Sequence, residues 1–237
     1  MYFDPLYWLV IGIGMALSLW AQFRVKSAFS TYSAVASRSG MSGADVARRI
    51  LDANQVRGVT IEPIRGAMTD HYDPRTRTLR LSEPVYGSHS IAAAGVAAHE
   101  VGHAIQHADG YAPLKFRSAW VPVANLGGGL SMFVIMMALA LGGTATLTGR
   151  NLATLGILMF ATTTVFTLVT LPVEFDASRR ALRTLESNGL LPRDELTGAR
   201  KVLSAAALTY VAAFVSSLLT LVYWLVRLGM VGGRNRR

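Results

Sequence analysis

The sequence predicts a mainly α-helical integral membrane protein, with four transmembrane helices and a small α+β domain formed by two loops on one side of the membrane. Three observations predict it. Asp, Glu, Lys and Arg are absent from four stretches, Pro5–Phe23, Ser118–Gly149, Asn151–Val173 and Val202–Val226. Each supplies the roughly 20 apolar residues that cross a bilayer. Of the 23 Lys and Arg residues, 18 fall in the loops joining the first stretch to the second and the third to the fourth. The composition agrees: 51% of residues are hydrophobic and 16% charged, with a mean hydropathy of +0.36. A soluble protein with a pair of buried core helices has no need of four separate charge-free runs.

The first span is placed at 5–23. Met1 to Pro5 hold Asp4 and no basic residue, whereas Arg24 and Lys26 follow the apolar run. That order suits an uncleaved anchor with its amino terminus outside. Residues 24–117 form a loop with a fold of its own. Ser42-Gly43-Ala44-Asp45 can cap a helix to about Ala53, with Val46, Ile50 and Leu51 on one stripe. Val59–Ile64 suits a strand, and Thr69–Tyr72 with Thr76–Leu81 reads as a hairpin turning at Asp73-Pro74-Arg75. Ser88 or Ser90 then caps a helix through His107, whose small residues Ala92–Gly95, Ala97 and Ala98 allow close packing, and Asp109-Gly110 ends it. Spans at 120–142 and 152–173 follow. The second loop, 174–201, carries a helix over Phe175–Asn188 and a short one after Pro192, and the last span is 204–226. No internal repeat is found, and only the tail Gly232–Arg237 is of low complexity.

The charges set topology more than they attract nucleic acid. The net charge is +9 and the pI near 10.3, and the basic residues that give them lie mostly in the two loops, without interleaved aromatic residues that would stack on bases. The positive-inside rule puts both loops in the cytoplasm, with some affinity for anionic lipid head groups, although the C-terminal R-N-R-R cluster opposes that orientation. Two spans separate the loops, so both face the same side. The spans hold no Asp, Glu, Lys, Arg or His to mark an ion path, which argues against a transporter or channel. Cysteine is absent, so any metal must be held by His, Asp or Glu.

Residues 99–103 read H-E-V-G-H at the end of the alanine-rich helix. A helix turns about 100° per residue, so His99 and His103 point to one side, one turn apart. Two such imidazoles can hold Zn²⁺. Glu100 lies at the edge of the same face, where it can take a proton from a metal-activated water. Two histidines and a glutamate buried without a partner would be costly, and a divalent cation satisfies all three. With 5 His in 237 residues, a chance H-E-x-x-H is rare.

Catalytic zinc takes three protein ligands and leaves a position for water. Glu174 is the first charge after the third span and lies on the correct side of the membrane. His107 is two turns beyond His99 but rotated away. Asp109 has the spacing of one zinc-protease class, though Gln106 stands where that class requires a glycine bend. Asp176 points away from Glu174 on a helix.

H-E-V-G-H-A-I-Q-H-A, with D-H-Y-D-P upstream and L-P-V-E-F-D-A-S-R-R-A-L downstream, resembles the putative neutral zinc metallopeptidase family of bacterial membranes (the YugP-like group), and the similarity runs through the whole chain. More distantly it is similar to membrane gluzincins such as the CAAX prenyl protease. The resemblance implies that His99, His103 and Glu174 bind zinc and that Glu100 is the base. Ala177 and Ala181 fit the gluzincin pattern. Ser178 stands where those relatives have an aspartate that orients a zinc histidine, so that support is expected from Asp176 or Asp73.

The expected function is a membrane-embedded zinc metalloendopeptidase acting on peptide or protein substrates. The alternative is a zinc-binding but inactive regulatory or scaffold protein, against which the intact Glu100 argues. Donors for the developing oxyanion are sought among His71, Tyr72, Tyr111 and Arg179, and the Thr76–Ser82 strand is a candidate edge for an extended peptide.

Overall fold

The computed structural model describes residues 4–231. The start of the first segment, residues 1–3, and the basic tail with Arg234, Arg236 and Arg237 lie outside the described residues. Seven α-helices and three strands follow in the order α1 (Pro5–Ser33), α2 (Gly43–Ala53), β1 (Thr60–Ile64), β2 (His71–Asp73), β3 (Thr78–Ser82), α3 (Glu83–Tyr86), α4 (Ile91–Ala108), α5 (Ala112–Ala140), α6 (Leu147–Ser187) and α7 (Arg193–Arg227), with a 3₁₀ turn at Gly143–Ala145. Four of the helices, α1, α5, α6 and α7, are long and apolar enough to cross a membrane. The protein is a mainly α-helical membrane protein with a small α+β region.

The described parts of Met1–Trp20, Phe116–Leu171 and Tyr210–Arg237 form one compact unit, the helix bundle. Small residues bring its helices together. A Cβ on Gly127 would collide with Thr162 Oγ1, and one on Gly156 would meet Ile135 Cγ1 at 2.6 Å. Close backbone approach of this kind, with hydroxyls bonding across helices, is how helices associate where water drives nothing. Thr167 and Ser217 share a 3.0 Å hydrogen bond, and Trp120 Nε1 donates to the carbonyl of Thr162 at 3.0 Å. Large apolar side chains such as Trp8, Leu126 and Phe133 stand more than half exposed, as a lipid-facing surface requires.

Ala21–Lys115 and Pro172–Thr209 form the second unit, the loop domain. Ser42 and Asp45 make a reciprocal capping box that starts α2, and Val46, Ile50 and Leu51 bury its apolar stripe. The sheet has the order β1-β3-β2, with β1 and β3 parallel and β2 and β3 antiparallel. Thr76–Ser82 therefore supplies the central strand and not an edge. Both sides of β3 are occupied, and the outer edges belong to β1 and β2. Its buried Leu79 and Leu81 join Val46, Ile50, Val101 and Leu185 in the core around α4.

Two segments differ from expectation. Phe175–Asn188 is not a separate helix but the end of α6, which runs unbroken for 41 residues. Pro172 lies inside it; a proline removes one helical N–H and strains a turn, but a helix packed on both sides of the break absorbs that cost. The short helix after Pro192 is likewise the start of the 35-residue α7, because no proline or glycine pair interrupts the chain where Lys201 meets the apolar run.

Candidate metal centre

Helix α4 carries the centre, and its start is well defined. Ser90 accepts a hydrogen bond from the Ala93 amide at 3.1 Å, and Asp109 closes the other end. Glycine and alanine make the helix thin where others cross it. A Cβ on Gly102 would stand 2.6 Å from the carbonyl of Ala177, so α6 lies directly against the turn between the two histidines. Gly95 receives Ala199 of α7 in the same way, at 3.3 Å.

That contact brings Glu174 to the histidine pair. Its Oε2 lies 3.2 Å from His99 Nε2 and 3.5 Å from His103 Nε2. The three donor atoms all fall within 4.8 Å of one another. His103 and Glu174 are buried, and His99 nearly so. Two imidazole nitrogens and one carboxylate oxygen, with no thiolate, form the donor set of a catalytic zinc site, so the residues present fit that ion.

The other nitrogen of each ring is engaged as well. His99 Nδ1 meets Ser178 Oγ at 3.1 Å, and His103 Nδ1 meets Gln106 Oε1 at 3.1 Å. Gln106 is fully buried and its Nε2 donates twice, to the Val173 carbonyl at 2.8 Å and to Asp176 Oδ2 at 2.9 Å. The amide nitrogen being spent on two acceptors, its oxygen must accept. His103 therefore carries a proton on Nδ1 and presents Nε2 on the side of Glu174. Asp176 is held in turn by Arg180 Nε at 2.6 Å.

Electrostatics follow the same contacts. Burial alone would push the His103 pKa down; the hydrogen bond to Glu174 and its charge outweigh that and raise it above the ordinary histidine value. Burial opposes ionisation of Glu174, beyond the apolar part of α6, but the two histidines hold its carboxyl well below the usual carboxylate range. Glu100 is only 8% exposed and is not one of the three converging donors. Its carboxylate has no hydrogen-bond partner among the described residues, and its charge also favours the protonated form of His103. A buried carboxylate left open beside the centre is available to a water or a substrate.

The description "putative neutral zinc metallopeptidase" matches residues 7–229, which is nearly the whole chain. The chain belongs to that family. It is also 50% identical over 207 residues to the putative membrane protease YugP of Bacillus subtilis (strain 168), covering 87% of this chain and 89% of that protein. No solved structure matches it significantly.

The remaining residues considered for this family member's site fall elsewhere. His107 Nδ1 bonds the Tyr72 hydroxyl at 2.9 Å, away from the three donors. Asp109 caps α4 and pairs with Arg180, whose guanidinium lies 5.7 Å from the centre of the Tyr111 ring. Asp176 bonds no histidine directly; it holds Gln106, one step behind His103. Asp73 does not support a histidine; it bonds the Arg75 amide and the Thr76 hydroxyl in its own turn. Ser178, expected to leave its place unfilled, itself partners His99, because a hydroxyl at that position reaches Nδ1. Of the oxyanion candidates, His71 bonds the Thr69 carbonyl and Arg179 lies 3.7 Å from Asp176. Gln106 was missed as a functional residue. Its position three residues after His103, on the same helical face, was the available signal.

Proposed function

We propose that the chain is a membrane-embedded zinc metalloendopeptidase in which His99, His103 and Glu174 hold the metal and Glu100 is the general base. The observation that carries this reading is the convergence of three donors from α4 and α6 with both histidine Nδ1 atoms already committed. When bound, zinc lowers the pKa of a coordinated water toward about 7 and polarises the scissile carbonyl. Glu100 accepts the proton of the attacking water and delivers it to the leaving amine. Gln106 keeps His103 in the tautomer that presents Nε2, and Ser178 holds the His99 ring through Nδ1. An extended peptide can add to the outer edge of β2, the strand packed on α4.

The substrates are loosely folded or membrane-associated polypeptides, and both catalytic loops face the cytoplasm of a bacterial inner membrane. The charge distribution supports that orientation. The test is purified protein on an unfolded substrate. Proteolysis should stop on chelation and return with zinc at about one ion per chain. Stoichiometric zinc without any hydrolysis would favour the regulatory or scaffold reading.

A further inference from the structure

We propose that the loop domain carries a binding site for the phosphate head group of an anionic phospholipid, in a cavity between the end of α1 and the start of α7. The cavity has a volume of about 530 Å³, within the roughly 300–1,000 Å³ typical of small-ligand sites. Arg24, Arg200 and Lys201 line it, and no acidic residue does. Arg38, Arg80 and Arg180 of the same domain are matched by carboxylates. The three cavity cations form no ion pair among the described residues. The hydroxyls of Ser27 and Ser204 add neutral hydrogen-bonding groups, also without a partner there.

The other lining residues give the cavity its second character. Phe23 is 70% exposed and is the last residue of the charge-free run Pro5–Phe23; Leu208 lies just inside the run Val202–Val226. The cavity thus stands at the level where two membrane-crossing helices leave the hydrocarbon, with cations on its polar side and apolar side chains on the other. A soluble anion needs only the first half of that arrangement. A phospholipid, with a phosphodiester joined to acyl chains, uses both.

The packing beside the cavity keeps its walls together. A Cβ on Gly198 would lie 2.7 Å from the Tyr32 ring, so α7 meets α1 at van der Waals distance two residues before Arg200. The cations therefore project from helices fixed against each other, and their spacing is preset. The site is separate from the metal-binding residues and does not depend on peptidase activity.

The test uses the full chain in a neutral detergent, titrated with dihexanoyl phosphatidylglycerol and read by native mass spectrometry. One lipid should bind per chain. The variant Arg24→Gln/Arg200→Gln/Lys201→Gln should bind it about a hundredfold more weakly, given what each interfacial cation contributes. Arg49→Gln/Arg57→Gln/Arg65→Gln, which removes three exposed cations elsewhere, should bind as the parent does, and the charge-preserving Arg24→Lys/Arg200→Lys should retain binding. Dihexanoyl phosphatidylcholine, with no net charge, should bind at least about tenfold more weakly. Undiminished binding by the triple glutamine variant would overturn the site. Inorganic phosphate competing as well as the lipid would assign the cavity to a soluble phosphate and overturn the lipid.

Discussion

Replacing Gln106 with leucine tests the proton assignment at His103 without touching any of the three converging donor atoms. Leucine has a similar volume, so packing in this fully buried position is largely kept. Three hydrogen bonds disappear. His103 Nδ1 loses its acceptor at 3.1 Å, the Val173 carbonyl loses its side-chain donor at 2.8 Å, and Asp176 keeps only its arginine partners. A buried group left unsatisfied costs about 1–3 kcal/mol; the His103 Nδ1–H is left so, whereas the Val173 carbonyl keeps its bond within α6, which puts the loss of stability at roughly 1–3 kcal/mol. The imidazole is also free to rotate or to move its proton to Nε2, where it cannot bind metal. Outer partners of this kind are worth about 10–100-fold in metal affinity. Zinc affinity should be measured by chelator competition and folding by circular dichroism. A folded Gln106→Leu protein with unchanged zinc affinity would refute the idea that this amide orients His103.

Elemental analysis of purified variants should show that Glu174→Ala loses most of its zinc and His107→Ala keeps it, since His107 is committed to Tyr72. In the cysteine-free parent, single cysteines near Arg57 and Arg193 should resist impermeant thiol reagents in intact cells while one near Thr146 labels; labelling of both loop positions instead would invert the orientation. The metal-free protein should show a pH-dependent Tm. The raised pKa of His103 gives stability that is full below the ordinary 6.5 and is lost as pH rises through the raised value. The lowered pKa of Glu174 gives stability that is full above 4.5 and is lost as pH falls through its depressed value. Tm should therefore be highest between these pH values and decline in base, and zinc should abolish the basic decline, because the metal replaces the proton.

The metal-binding candidates were legible because helical spacing alone turns His99 and His103 to one side, and because span parity puts Glu174 on theirs. The secondary structure of the first loop followed from caps and turns: Ser42, Ser90 and Asp73-Pro74 each act locally, and local signals survive folding. What was not legible depended on tertiary contacts. The order β1-β3-β2 requires a parallel pairing that no local pattern encodes. The continuity of α6 through Pro172 depends on packing that outweighs one lost hydrogen bond. Gln106 and Ser178 became readable as histidine partners only once α6 was seen against Gly102.

The division of labour between metal-binding residues and base is tested most directly by Glu100→Gln. Glutamine is nearly isosteric and has a similar helix propensity, so α4 should persist. His99, His103 and Glu174 are untouched and remain within 4.8 Å of one another, so zinc should stay at about one per chain. Proteolysis of an unfolded substrate should nonetheless fall by about 10²–10⁴-fold, the contribution of a positioned proton-transfer group. Full activity in a zinc-loaded Glu100→Gln protein would contradict the role of Glu100 as base, and loss of zinc from that variant would contradict its exclusion from the metal-binding set.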